Sequence, residues 1–480
     1  MIQLTKRKIR QERSHGDGSS VSGAERRTEG KTMELSPWRS GREILYILFI
    51  TALGIYLRIW WIKNIPTKPI FDFETYQEIA TNIFHHVGHT YRGEPIAFQG
   101  MGYPTALGYF YRLMGNNEEW TAKVFNVILS SLTLSGTYFI LLKLTKRKFV
   151  IYFSYTMIAL LPNYIAYNNV ISTEVFITFI FVAIILLQLY VFHNFIRYPL
   201  MGVFIGAAAL TKPFFLAYPV VAAVGYWLRE KELKKTGIMF AAVTLCMVLA
   251  VAPWTYRNYV KFGRFIPVSY NSGYVFYINN NANNTTGAWM PIKDIYASPV
   301  LREKIDEILE GGARSEKVAH ELEVIFKPEA KKWIRNHPGD FVKVGLLRIK
   351  ATFFSGAWDI DAWAMNEFKE KQTFWKKEVD YLRSMNAFRG LTDIIIYLIS
   401  SFGLLYMIIN IKNVIWGLLK KKKTLHNVII IPTLNIGFFT AIYFVFEGQA
   451  RYNFPVLFLL VIATGLCVDI IRNGLTEQEQ

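Results

Sequence analysis

Apolar blocks of about twenty residues recur along most of the chain, and they constrain its fold more than any other feature. A helix of about that length crosses a hydrocarbon core of roughly 30 Å. Lys/Arg clusters and Asn/Pro/Gly-rich turns separate the blocks, whereas a soluble chain of this length would alternate polar and apolar positions. The expectation is an all-α polytopic membrane protein with about ten transmembrane helices. These spans are read near 43–62, 120–142, 149–162, 170–192, 236–254, 391–413, 425–446 and 452–471, with two short spans in 199–228 broken at Thr211, Lys212 and Pro213.

The formal net charge of +18 does not point to nucleic acid, because the basic residues sit at the ends of apolar blocks. There they orient spans and meet anionic headgroups; a nucleic-acid binder would gather them on one soluble face. Cys246 and Cys467 fall inside apolar spans, which argues against a structural disulfide or a zinc site. Residues 1–42 are basic, rich in Ser and Gly, and lack the apolar core of a cleavable signal, so they read as a disordered cytosolic arm, with Met33 as an alternative start to Met1.

Lys/Arg bias in the short loops places the clusters at 143–148, 229–235 and 420–423, and both termini, in the cytosol of a multi-pass cell-membrane protein. The loop 63–118 and the segment 255–390 then face outward. The expected divisions are the arm 1–42, a catalytic transmembrane module 43–254, the outer segment 255–390 with short interfacial helices, C-terminal helices 391–472 and a cytosolic tail 473–480.

Polar residues on the outer side form one set of candidates. Asp72 in FDFETYQEIA follows the first span and shares a helical face with Tyr76. It reads as a general base towards an incoming hydroxyl or as the N-cap of its helix. Glu74 makes an Asp-x-Glu pair able to hold a divalent cation, or is a solvated carboxylate at a helix start. Glu94 lies in a polar loop and could touch a sugar. Glu174, at the outer start of a span, is a functional intramembrane acid or a capping residue. Lys212, Arg257 and Arg451 lie at the depth of a lipid phosphate; snorkelling is the alternative for each, and Arg451 could instead pair with Glu447 four residues back. Asn258 and Tyr452 flank two of these cations and join the substrate-binding candidates.

An ordered series of tracts carries a family resemblance: FDFETYQEIA, GYPTALGYFYRLMG, STEVFITFIF, GVFIGAAALTKP, PWTYRNYVKFGRFIPVSYNSGYVFYINNN, AKKWIRNHPGDFVKV and EGQARYNFP. From about residue 43 to 471 the chain resembles bacterial membrane glycosyltransferases of the GT-C fold class, related to protein O-mannosyltransferases and to the lipid A aminoarabinose transferase. The resemblance implies a hexosyl- or pentosyltransferase that uses a polyprenyl-phosphate sugar outside the cytosol. Asp72 matches the catalytic acid of the first outer loop, Arg257 and Arg451 match contacts to the donor phosphate, and Glu174 matches an acidic position. It leaves open a glycan, lipid or protein acceptor, and the use of a divalent cation. The competing class is a transporter or lipid flippase, which would need ionisable groups along a mid-membrane path rather than at span ends.

Overall fold

A computed structural model describes residues 41–190, 192–310, 315–367, 371–374, 377–420 and 423–478. The expected arm 1–42 lies almost wholly outside the described residues, as do Lys421 and Lys422 of the 420–423 run. The chain divides into Met1–Tyr46, described only as the start of a helix, and Ile47–Gln480.

The described residues are mostly helical. In chain order the helices are α1 (Gly41–Asn64), α2 (Asp72–Phe84), α3 (Gly102–Met114), α4 (Glu119–Leu144), α5 (Lys148–Leu160), α6 (Pro162–Ala166), α7 (Thr173–Leu189), α8 (Asn194–Thr211), α9 (Tyr218–Glu230), α10 (Leu233–Phe262), α11 (Ser272–Asn279), α12 (Pro299–Leu309), α13 (Glu316–Asn336), α14 (Pro338–Phe353), α15 (Tyr381–Leu419), α16 (Asn427–Val445) and α17 (Leu457–Gln478). Two small antiparallel hairpins, Thr90–Tyr91 with Glu94–Pro95 and Lys371–Phe374 with Lys377–Asp380, complete the regular structure.

By length and composition, six of the described helices can cross a membrane, or seven if the bent pair Lys148–Leu160 and Pro162–Asn169 is one span. The other segments expected to cross form shorter helices: α7 with 17 residues, and α8 and α9 from the broken stretch. A short helix is tolerated where protein rather than lipid surrounds it. Phe181 of α7 meets Phe215, Tyr218, Phe439 and Phe458 at centroid distances of 5.9, 5.8, 5.2 and 5.9 Å.

Proline sets both breaks. The residue before a proline is driven out of the α region. Leu161 is accordingly extended (φ −61°, ψ 120°) and the chain bends by 44° into Pro162–Asn169. Lys212, before Pro213, is extended as well (φ −132°, ψ 104°), so α8 stops at Thr211 and the chain reverses through Pro213–Ala217 into α9.

Side-chain contacts sort the bundle into two ends. At one end Arg147 Nε lies 3.7 Å from Asp469 Oδ2, Lys231 Nζ donates to the Gly417 carbonyl at 2.5 Å, and the Leu425 amide donates to the Leu228 carbonyl at 3.0 Å. The described residues of the basic clusters therefore share that end. The first loop and the described residues of the segment 255–390 gather at the other. The helical spacing read in ARSEKVAHELEVIFKPEAKKWIRNHP becomes α13, whose Val318, Leu322, Phe326 and Ala330 pack on Tyr277 and Ile305 as a core of their own. The amphipathic tract that follows becomes α14.

Candidate active site

Asp72 sits in the first turn of α2, and the N-cap is Phe71, so the carboxyl is not the capping group. Phe71 takes a positive φ of 54°, uncommon for a residue with a bulky side chain. Its ring meets Trp363 edge-on at 6.1 Å. Asp72 is thereby turned towards the start of the last span, where Arg451 Nη2 donates to Asp72 Oδ2 at 3.3 Å. Arg451 Nε donates to Gln449 Oε1 at 3.1 Å, and its guanidinium lies 5.4 Å from the Phe73 ring centroid and 5.7 Å from that of Tyr452. The Arg451 side chain is 13% exposed and that of Asp72 34%, so water reaches the carboxylate more readily than its partner.

A second ion pair adjoins the first. Lys212 Nζ lies 3.5 Å from Glu174 Oε1 and 5.5 Å from the Tyr452 ring centroid. Glu174 follows the Ser172 N-cap, accepts from the Thr173 hydroxyl at 3.3 Å, and is 2% exposed. Lys212 is held there by the first loop. A Cβ on Gly100 would come within 2.2 Å of the Thr211 carbonyl oxygen, so only glycine lets the loop pack so closely against the end of α8.

The third acid, Glu447, accepts from the Tyr452 hydroxyl at 2.9 Å and from the Gln449 amide. Burial pushes its carboxyl above the usual range. The backbone before it is clamped by Arg348 of α14, which is fully buried. Arg348 donates to the carbonyls of Phe444 (2.7 Å), Val445 (3.0 Å) and Asn279, and to Asn280 Oδ1 (2.9 Å). One guanidinium thus ties the outer segment to the end of α16.

Asp359, in the outer segment, is a buried acid that the sequence reading did not single out. Asn163 Nδ2 stands 3.4 and 3.5 Å from its carboxyl oxygens, and burial pushes its carboxyl up to about 6. Nothing in FSGAWDIDAW marks it, since its partner lies 196 positions away. Gln449 was also missed; EGQARY marks it only as a neighbour of Arg451.

The structure brings Asp72, Tyr76, Glu174, Lys212, Glu447, Arg451 and Tyr452 to one place. Tyr76 is buried and meets Tyr103 at 5.9 Å. Glu74 is exposed. Glu74 and Asp72, two apart on α2, project about 200° apart around the helix. Among the described residues no group of three or more His, Cys, Asp or Glu is placed to hold a metal. Glu94 is exposed in the first hairpin. Arg257 donates to the carbonyls of His89 (2.8 Å) and Ile96 (3.1 Å) and to Asn258 Oδ1 (3.0 Å), while Asn258 Nδ2 donates to the Ile266 carbonyl at 3.0 Å. Arg257 thus holds the first loop against α10, and Asn258 holds the turn that follows α10.

Residues 97–266 match the family model described as dolichyl-phosphate-mannose-protein mannosyltransferase. The chain resembles the GT-C membrane glycosyltransferases. The matched stretch contains Glu174, Lys212, Arg257 and Asn258, while Asp72 and Arg451 lie outside it. No curated protein sequence matches the chain. Two solved structures from Archaeoglobus fulgidus are similar. One is the oligosaccharyltransferase AglB in complex with an inhibitory peptide and a dolichol-phosphate (TM-score 0.46, 10% identity, covering 92% of this chain and 52% of that one). The other is the oligosaccharyltransferase tethered to an acceptor peptide through a disulfide bond (TM-score 0.46, 12% identity, 91% and 51%). The chain spans about half the length of these two enzymes.

Proposed function

We propose that this chain is a membrane glycosyltransferase that moves a sugar from a polyprenyl-phosphate donor to an acceptor hydroxyl at the extracytoplasmic face. The observation that carries the reading is the water-accessible Asp72 carboxylate beside the buried Arg451 guanidinium, with Lys212 nearby across the Tyr452 ring. The match to the mannosyltransferase family model supports the sugar and the lipid carrier.

Asp72 takes the proton of the acceptor hydroxyl as its oxygen attacks the anomeric carbon. The bond from that carbon to the phosphate oxygen breaks, and the electron pair leaves with the lipid phosphate. Arg451 and Lys212 stabilise the charge that builds there, and each such donor is worth on the order of 3 kcal/mol in comparable sites. A single displacement inverts the sugar. The donor phosphate competes with Asp72 and Glu174 for these cations, so the resting ion pairs keep the site ordered until substrate arrives.

Arg58 bears on the transporter alternative. It is fully buried within α1, where an ionisable group suggests a pathway. Its guanidinium is instead sealed by the Gly54 and Ala159 carbonyls and the Ser130 hydroxyl, each at 2.8 Å.

The test is transfer by the purified protein from a synthetic polyprenyl-phosphate sugar to envelope glycolipid, glycan and peptide acceptors. Sugar-labelled product supports the reading. Donor translocation across proteoliposomes without transfer would replace it with the flippase reading.

A further inference from the structure

A groove of about 1000 Å³ runs between helix α13 and the turn that follows α10. Ligand sites commonly enclose about 300–1,000 Å³. One wall is formed within residues 264–272; the other is a face of α13 from Glu316 to Lys331. At 1.5 Å per residue that face is about 20 Å long, a length that suits a chain rather than a single small molecule. The groove adjoins the elements of the candidate active site. Ile266 and Tyr270 of its wall share a small core with Ile79 and Ile83 of α2, and Leu210 of α8 packs against it. Asp72 opens α2, about 10 Å along the helix from Ile79, and Lys212 follows α8 directly. The Tyr270 amide donates to the Ala97 carbonyl at 3.1 Å, which fixes this wall on the first loop.

The chemistry of the lining is that of a hydroxyl-rich ligand. Glu316, His320, Glu323, Lys327 and Lys331 recur three or four residues apart, so they form one stripe on α13, separate from the apolar stripe that packs on Tyr277 and Ile305. Arg264 donates to Glu316 Oε1, while Glu323 Oε1 accepts from the Ser272 hydroxyl at 2.9 Å and lies 3.6 Å from Lys327 Nζ. Those contacts fall on Oε1 of each carboxylate, and Oε2 is the atom that a ligand hydroxyl would meet. Hydrogen bonds to an ionised acceptor are the strong ones. Between the polar groups lie the apolar surfaces of Pro267, Tyr270 and Val324. A saccharide chain has this same division, with hydroxyls at the ring edges and C–H bonds on the ring faces. A peptide is commonly held by a sheet edge or by an apolar groove; these walls are a helix and a turn, and they carry charges along their length.

We propose that this groove holds the glycan chain of the acceptor, through sugar units removed from the hydroxyl that reacts at Asp72. The inference rests on the reading of the chain as a glycosyltransferase and narrows its acceptor to a saccharide of several units. Glu323 is the central acceptor for its hydroxyls, and Lys327 and Lys331 are donors at the rim. Contacts to parts of a substrate that do not react supply binding energy that positions the part that does.

The experiment passes the full-length protein in detergent, without donor, over an array of bacterial envelope oligosaccharides one to six units long and over Ser/Thr-containing peptides. Oligosaccharide should be retained, more strongly as the chain lengthens, and peptide should not. Val324→Trp fills the groove from a position that is 57% exposed, so the fold tolerates it, and it should cut retention about tenfold. Glu323→Gln keeps the side chain's shape but weakens its acceptor, and should also cut retention by about tenfold. In the transfer assay Val324→Trp should raise the acceptor KM for long chains towards that for a single sugar. Retention of no oligosaccharide, retention unchanged in both variants, or peptide held equally well in the same groove would overturn the proposal. Because retention is read without donor, the two readings fail separately. Glycan held in the groove by a protein that transfers no sugar supports the groove and contradicts the reaction. Transfer with no glycan retained overturns the groove and leaves the reaction standing.

Discussion

Asp72 and Arg451 lie 379 positions apart and meet at 3.3 Å, joining the first loop to the start of the last span. The pair places a carboxylate that water can reach against a cation that is almost buried. In the proposed reaction Asp72 is the proton acceptor and Arg451 an anion-stabilising group, and the sugar must part this pair, because attack and departure take opposite faces of the anomeric carbon.

The Glu174–Lys212 pair should behave as a buried ion pair. Removing Lys212 alone strands a carboxylate that is 2% exposed. Lys212→Ala should therefore cost roughly 3 kcal/mol of stability. The double variant Glu174→Gln/Lys212→Met should recover most of it, because no unpaired charge stays buried. Thermal melting in detergent reads both, and a double variant no more stable than the single would show that the pair is not coupled.

Arg257 tests whether a guanidinium in PWTYRN holds backbone or substrate. Its hydrogen bonds to the His89 and Ile96 carbonyls imply a structural role. Arg257→Gln should lower stability by about 1–3 kcal/mol and leave the donor KM nearly unchanged. A raised donor KM with unaltered melting would instead place the donor phosphate on Arg257.

Asp359 predicts a pH dependence. Its folded carboxyl titrates at about 6 against an ordinary 3.8, mainly because it is buried. The folded chain holds that proton more tightly than the unfolded one, so stability falls as pH rises from about 4 to about 6 and is level above. The cost at neutral pH is on the order of 3 kcal/mol. Asp359→Asn should remove this contribution, and Asn163 can still donate to the new side chain. The difference between wild type and variant in melting temperature should grow across that pH interval; a constant difference would contradict the burial argument.

Much of this candidate site was legible because ionisable residues at the outer ends of apolar blocks lie at the depth of a lipid phosphate. Asp72, Glu174, Lys212 and Arg451 each stood out on that ground. Which of them pair was not legible. Helical spacing suggested Arg451 with Glu447, but Arg451 lies in a tight turn over Ala450–Val456, not in an α-helix. Its guanidinium bonds Gln449 and Asp72, while Glu447 bonds Tyr452 and Gln449. The breaks at Leu161 and Lys212 were readable from the prolines that follow them. The clamp at Arg348 was not, because its acceptors are backbone carbonyls from separate helices and carry no sequence mark. Span number was only partly readable: α7 is apolar yet shorter than a full crossing, since aromatic neighbours cover it.

The most direct measurement is single-turnover transfer by Asp72→Asn from a synthetic polyprenyl-phosphate sugar, with donor binding measured in parallel. The amide keeps the shape of the side chain and can still accept from Arg451, but it cannot take the hydroxyl proton. Transfer should fall by about 10²- to 10⁴-fold, while donor binding holds or tightens because Arg451 is less strongly claimed. Transfer at the wild-type rate by a variant that binds donor normally would contradict the assignment of Asp72 as the base.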